Sequence, residues 1–177
     1  MWFKSVQVFR VTPAHGQSID AFREGLAKQP IGPCPGNVAQ THGWISPFGM
    51  KSEELVVSVG PLHLAEFVVA KRLLPQDVVK QTLATRVAQL EEQQGGVPIS
   101  KREQRRMQDE IHFELLPKAF VQQKSCQMFW HQETGYLFVG STQTALLDAL
   151  VTSFAYCCPG WRLQLVSAAK GVESTLT

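Results

Sequence analysis

Residues 75–120 read PQDVVKQTLATRVAQLEEQQGGVPISKREQRRMQDEIHFELLPKAF. This stretch decides the fold, because its apolar residues recur at a helical period while the segments on either side alternate like strands. Val79, Leu83, Val87 and Leu90 fall within an arc of about 80° at roughly 100° per residue, which predicts a helix over Pro75–Gln94. Gly95-Gly96 and Pro98 end it. Ser100 followed by Glu103 forms a capping box, so a second helix is predicted from Lys101 to about Leu116, where Pro117 stops it. Two helices joined by a short loop make an antiparallel helical hairpin.

Upstream, Trp2–Val11 alternates imperfectly as a first strand, with Phe3, Phe9 and Val11 on its buried face. Thr12-Pro13 and His15-Gly16 break it. A short helix follows at about Ser18–Lys28, capped by Ser18 and striped by Ile19, Phe22 and Leu26. Residues 30–50 are rich in proline and glycine and read as loop, with Trp44, Ile45 and Phe48 expected to pin it to the core. Strands are predicted at Leu55–Val59 and Leu62–Leu73, joined at Gly60-Pro61.

Downstream, strands are predicted at Gln127–His131 and Tyr136–Val139, a helix at Thr142–Phe154 and a last strand at Trp161–Ser167. The expected fold class is therefore α+β: an antiparallel sheet body with packed helices, residues 1–74 and 121–177, into which the helical hairpin of residues 75–120 is inserted as a tip.

The chain has 177 residues, 44% of them hydrophobic, and a formal net charge of +2. That supports a sizeable core and argues against disorder. A charge this small does not by itself mark a nucleic-acid partner, so any basic surface has to come from local clustering. The longest apolar runs are too short to span a bilayer, and the N-terminus lacks the pattern of a signal peptide. The expected location is the cytoplasm, with no membrane partner. The four cysteines, Cys34, Cys126, Cys157 and Cys158, form no C-x-x-C pair and have no histidine at zinc-finger spacing, so no metal site is expected and they read as reduced, packed thiols.

No nucleophile elbow, zincin motif or phosphate-binding loop is present, which argues against an enzyme and leaves no catalytic residue and no cofactor to assign. His42 reads as a structural loop histidine. Cys126 and His131, five apart on one strand, point to opposite faces. The clearest charge feature is Lys101, Arg102, Arg105 and Arg106, which cover an arc of about 140° opposite Met107, Ile111 and Leu115. Such a helix can dock by one face and meet phosphates with the other. A merely solvated face accounts for the same pattern, since residues 75–116 carry six Lys/Arg against seven Asp/Glu. Lys71-Arg72, Lys118 and Lys124 extend the basic surface if the fold gathers them. Phe120, following Pro117-Lys118-Ala119, reads as either a core residue or an exposed interface anchor, and pattern alone favours the core.

Four groups of residues together resemble the RdgC family of bacterial recombination-associated DNA-binding proteins. They are Met1-Trp2-Phe3-Lys4 with Val8-Phe9-Arg10; Pro33-Cys34 with Gly43-Trp44-Ile45-Ser46-Pro47-Phe48-Gly49; Leu73-Leu74-Pro75 with Val78-Val79-Lys80-Gln81; and Asp109-Glu110-Ile111 with Leu115-Leu116-Pro117-Lys118-Ala119-Phe120. The resemblance implies a homodimeric ring around double-stranded DNA that binds without reading sequence, associates with the nucleoid and antagonises a RecA-type recombinase by occupying DNA. It makes Lys101, Arg102, Arg105, Arg106 and Lys118 a DNA-facing set and Phe120 a dimer-interface residue that helps close the ring. Members of the family are longer, and Glu92-Gln93-Gln94-Gly95-Gly96-Val97 stands where relatives are often basic. The rival expectation is a shortened relative that has lost DNA binding and acts through protein contacts.

Overall fold

The computed structural model describes residues 5–13, 18–49 and 52–166. Among these the order of elements is β1 (Gln7–Thr12), α1 (Ile19–Leu26), β2 (Gln40–Ile45), β3 (Val57–Val59), β4 (Leu62–Leu73), α2 (Gln76–Gln93), α3 (Lys101–Leu115), a 3-10 turn at Leu116–Lys118, β5 (Phe120–His131), β6 (Tyr136–Val139), α4 (Thr144–Cys157) and β7 (Arg162–Leu165). The fold is α+β, as the sequence implied. The strands form a sheet in the order β2-β4-β5-β6-β1-β7, with β3 added against β4. The β1–β6, β1–β7, β3–β4 and β5–β6 pairings are antiparallel. The chain divides into two compact units. One holds the residues up to Gly32, His42–Val69 and the chain from Lys124 onward; the other holds Pro33–Thr41 and Ala70–Gln123.

The first unit is built by period-2 burial on its strands and period-3.6 burial on its helices. Phe9 and Val11 of β1 turn inward, on the face the sequence assigned to the core. Ala65 and Phe67 of β4, Cys126, Met128 and Trp130 of β5, and Leu137 and Val139 of β6 join them. Against this layer α1 presents Phe22 and Leu26, and α4 presents Leu146, Leu150, Phe154 and Cys157. Ser18 caps α1 by accepting the Ala21 N–H at 3.4 Å. The close approach of α1 to α4 requires Gly25, because a Cβ there would lie 2.6 Å from the Cys157 carbonyl oxygen. Phe22, Phe154, Trp130 and Trp161 form an aromatic cluster with ring centroids 5.0 to 6.1 Å apart.

One buried polar group needs an explanation. His63 is only 3% exposed, yet both ring nitrogens are bonded: Nδ1 lies 2.8 Å from Ser58 Oγ and Nε2 lies 3.0 Å from Gln132 Oε1. The Gln132 carbonyl oxygen can only accept, so Nε2 carries a proton. Arg23 of α1 donates to the same Ser58 oxygen at 2.8 Å, so the chain of bonds ties α1 to the β3–β4 hairpin and to the end of β5.

Several expectations need correction. Residues 30–50 contain a strand, β2, despite their prolines and glycines. Trp44 N–H donates to Gln29 O at 2.9 Å and Ile31 N–H to Trp44 O at 2.8 Å, and Gly43 permits that approach, since a Cβ would sit 2.7 Å from Ile31 N. Trp44 is buried and Ile45 half-buried, but Phe48 is 69% exposed and pins nothing. It lies in the turn closed by Gly49 N–H on Ser46 O, which carries the side chain outward. β5 starts at Phe120 rather than Gln127, because residues 120–125 are exposed on both faces and show no alternation to read. The start of the first expected strand, residues 2–4, and Ser167 of the last lie outside the described residues. Cys126, Cys157 and Cys158 are buried and Cys34 half-buried; burial pushes the Cys126 and Cys158 thiols up to about 12.

Candidate nucleic-acid interface

The second unit is the helical hairpin together with the strand ends and the 33–41 loop. Val79 of α2 and Met107 and Ile111 of α3 are buried, while Leu83, Val87 and Leu90 are half-buried on the predicted stripe. Gly95 and Gly96 end α2 with φ of +71° and +87°, a region that disfavours any side chain. Beyond them the loop is tied down by side chains. Glu91 Oε1 accepts the Ile99 N–H at 2.9 Å, and Gln104 Nε2 donates to the Ile99 carbonyl at 3.1 Å. Ser100 then caps α3 by accepting the Glu103 N–H at 3.3 Å. The sequence anticipated the Ser100 cap but not the Gln104 bond, which is local to the start of α3, nor the Glu91 bond, which needs the chain to turn back past the end of α2.

The basic residues of α3 are presented as their spacing implied. Lys101, Arg102, Arg105 and Arg106 are all exposed, and Met107 and Ile111 are buried behind them. Their electrostatic states differ. Arg106 Nε donates to Glu110 at 3.0 Å. Among the described residues Lys101, Arg102 and Arg105 form no ion pair. Arg86 of α2 donates to both carboxylate oxygens of Glu114 of α3 through its two terminal nitrogens, Nη1 and Nη2. This bond keeps the Glu114 carboxyl below its ordinary range and raises Arg86.

One-to-one ion pairs remove equal numbers of each sign and leave the charge balance of this unit unchanged. The second unit carries nine Lys/Arg and seven Asp/Glu, which equals the whole net charge of the chain. Asp77, Glu110 and Glu114 are each matched to a cation of their own. Among the described residues Lys101, Arg102, Arg105 and Lys71 face solvent outside any ion pair, as do Glu92, Glu103 and Asp109, while the exposed Lys118 helps to hold the Glu114 carboxyl down.

Arg72, grouped with Lys71 on sequence, is placed differently. Its guanidinium is half-buried and turned onto five backbone carbonyls: Cys34, Pro35, Leu116, Pro117 and Ala119. Its side chain holds this unit together rather than facing out. Lys124 belongs to the first unit and donates to Gln143 Oε1 at 3.4 Å.

Two aromatic residues stand out in the second unit. Phe120 is 86% exposed, so it is not the core residue its pattern favoured. Phe113 of α3 is 67% exposed and was not singled out on sequence. Its signal was available, since twelve residues after Lys101 is about 120° around the helix, inside the basic arc. Phenylalanine there cannot belong to the buried stripe.

Among the described residues no His/Cys/Asp/Glu group is placed to hold a metal ion, and no helix is long and apolar enough to cross a membrane.

Fold and surface define an α+β protein that carries a charged, aromatic-bearing helical hairpin between two of its strands. A family model described as "RdgC: Putative exonuclease, RdgC" matches residues 1–177, and the chain belongs to the RdgC family. It is similar to proteins named "Recombination-associated protein RdgC". The one from Cupriavidus necator is 34% identical over 148 residues, 84% of this chain and 48% of the relative. The one from Janthinobacterium sp. is 29% identical over 177 residues, all of this chain and 58% of the relative. The one from Dechloromonas aromatica is 26% identical over 166 residues, 94% of this chain and 54% of the relative. The chain thus spans about half the length of the relatives it matches.

Proposed function

We propose that this chain binds double-stranded DNA without reading its sequence and acts in homologous recombination by competing with a RecA-type recombinase for DNA. The observation that carries the reading is the exposed set of Lys101, Arg102 and Arg105, outside any ion pair among the described residues, on the face of α3 opposite its buried stripe. Phosphate neutralisation needs charge and reach, which these side chains have; base readout needs side chains fixed against base edges, which a solvated face does not supply. Lys71 and Lys118 are exposed in the same unit and extend the set. The relatives' printed name, which ties them to recombination, supports the biological half of the proposal. We read the chain as a binding protein rather than an enzyme, because its exposed set is made of cations and aromatics, groups that hold phosphate and apolar surface. Its place is then the cytoplasm, with the nucleoid.

Exposure of Phe120 and Phe113 favours a companion reading in which a second copy of the chain packs on these aromatics and a homodimer encloses the duplex. If this contact alone survives and DNA binding does not, the chain is an interaction protein.

The test is fluorescence anisotropy with a labelled duplex of random sequence across a salt series. Log affinity is expected to fall linearly with log salt, at about −0.9 per phosphate neutralised, and to be equal for a scrambled duplex. No binding at low salt, or a strong preference for one duplex, overturns the proposal.

A further inference from the structure

We infer that Arg72 is a positioning residue that fixes the angle at which Phe120 is presented, an inference that rests on reading Phe120 as a contact residue. Phe120 follows the exit of α3, where a helix leaves backbone carbonyls without intrahelical partners. The Leu116, Pro117 and Ala119 carbonyls accept from Arg72 Nη1 at 3.3, 3.1 and 3.1 Å. Nη2 donates to the Cys34 carbonyl at 2.9 Å and Nε to the Pro35 carbonyl at 3.1 Å. The backbone N–H of Arg72 donates to the Ala39 carbonyl at 2.8 Å. One side chain therefore bridges the 34–35 loop and the turn that delivers Phe120.

The chemistry selects arginine. Five carbonyl oxygens converging on one point, three of them at a helix C-terminus, create negative potential that favours a cation. A planar guanidinium offers five N–H donors in a fixed fork, whereas a lysine ammonium offers three from a point charge. Lysine can keep the charge but cannot span both segments.

The loop and the turn also lie close together: a Cβ added at Gly36 would come within 3.4 Å of Pro117 Cβ. Release of the guanidinium frees both. Phe120 has few contacts of its own to hold it in place, since it is 86% exposed, so its orientation depends on the backbone just before it.

Four chains decide the matter: the natural one, Arg72→Lys, Phe120→Ala and the double variant. Self-association is measured by sedimentation equilibrium and backbone protection by hydrogen exchange. Arg72→Lys is expected to raise exchange in residues 34–39 and 116–121, to leave the strands of the first unit protected, and to weaken self-association about tenfold, which corresponds to about 1.4 kcal/mol. Because Arg72 acts through Phe120, the double variant is expected to associate no more weakly than Phe120→Ala alone. Unchanged exchange at residues 116–121 in Arg72→Lys, self-association of Arg72→Lys equal to that of the natural chain, or additive losses in the double variant overturns the inference. Raised exchange with self-association insensitive to Phe120→Ala upholds the clamp and removes the contact reading instead.

Discussion

Replacing Phe120 with alanine separates the two roles a phenylalanine can have. Fully burying such a side chain is worth about 1.5–3 kcal/mol. With the residue 86% exposed, about a seventh of that operates within a single chain, so truncation should cost only about 0.2–0.4 kcal/mol of stability. If a second copy covers the ring, the full burial is recovered there, and its loss costs association about 2 kcal/mol, or roughly thirtyfold in the dissociation constant. Phe22, 1% exposed in the aromatic cluster, is the internal control, and its truncation should cost about 3–5 kcal/mol of folding stability. Hydrogen exchange of residues 101–121 measures the first quantity, because Phe120 lies in the second unit; urea unfolding followed by tryptophan fluorescence measures the Phe22 control, because Trp44, Trp130 and Trp161 lie with Phe22 in the first. Sedimentation equilibrium measures association. A stability loss in Phe120→Ala approaching that of Phe22→Ala, with association unchanged, would refute the reasoning.

Three further outcomes are expected. Arg102→Ala with Arg105→Ala should lower duplex affinity and flatten the log–log salt dependence by about 1.8 while the unfolding midpoint stays put, since both side chains are exposed and outside any ion pair among the described residues; an unchanged slope in the folded variant removes α3 from the interface. Gly25→Ala should destabilise the first unit by about 1–3 kcal/mol, read as a lower urea midpoint, because its Cβ would press to 2.6 Å on the Cys157 carbonyl. The Cys126 and Cys158 thiols, raised from 9.0 to about 12 in the fold, should make stability fall with alkali: it is fully present below about pH 9, where the unfolded thiols begin to ionise, and declines as pH rises toward 12. An aromatic disulfide reagent should accordingly label Cys34 well before Cys126 or Cys158 in the native protein, and equal rates at all of them would contradict this.

Local order was legible where one residue type dictates one backbone outcome. Ser18 and Ser100 cap the helices they precede, Gly95-Gly96 ends α2, and the stripes of Val79 and of Met107 with Ile111 are buried, because caps, left-handed glycines and helical period are properties of a few neighbouring residues. The strands β1, β4 and β6 were visible for the same reason, through alternation. The arc of Lys101, Arg102, Arg105 and Arg106 was likewise fixed by spacing alone, and the angular position of Phe113 was there to be read.

Tertiary structure decided what depends on partners distant in sequence. β2 forms among prolines and glycines because Gln29 and Ile31 supply backbone bonds to it, and the outer half of β5 is strand although residues 120–125 carry no alternation. Charge was decided in the same way. The count along the hairpin is neutral to slightly acidic, but Arg86 meets Glu114 only when two helices lie side by side. Arg72 and Lys71 are neighbours of one charge type, yet five carbonyls from two remote segments take the guanidinium inward while the lysine stays in solvent. Sequence sets which groups a chain can offer, and the fold sets which of them find a partner, because hydrogen bonds and ion pairs act over a few ångströms of space and not along the chain.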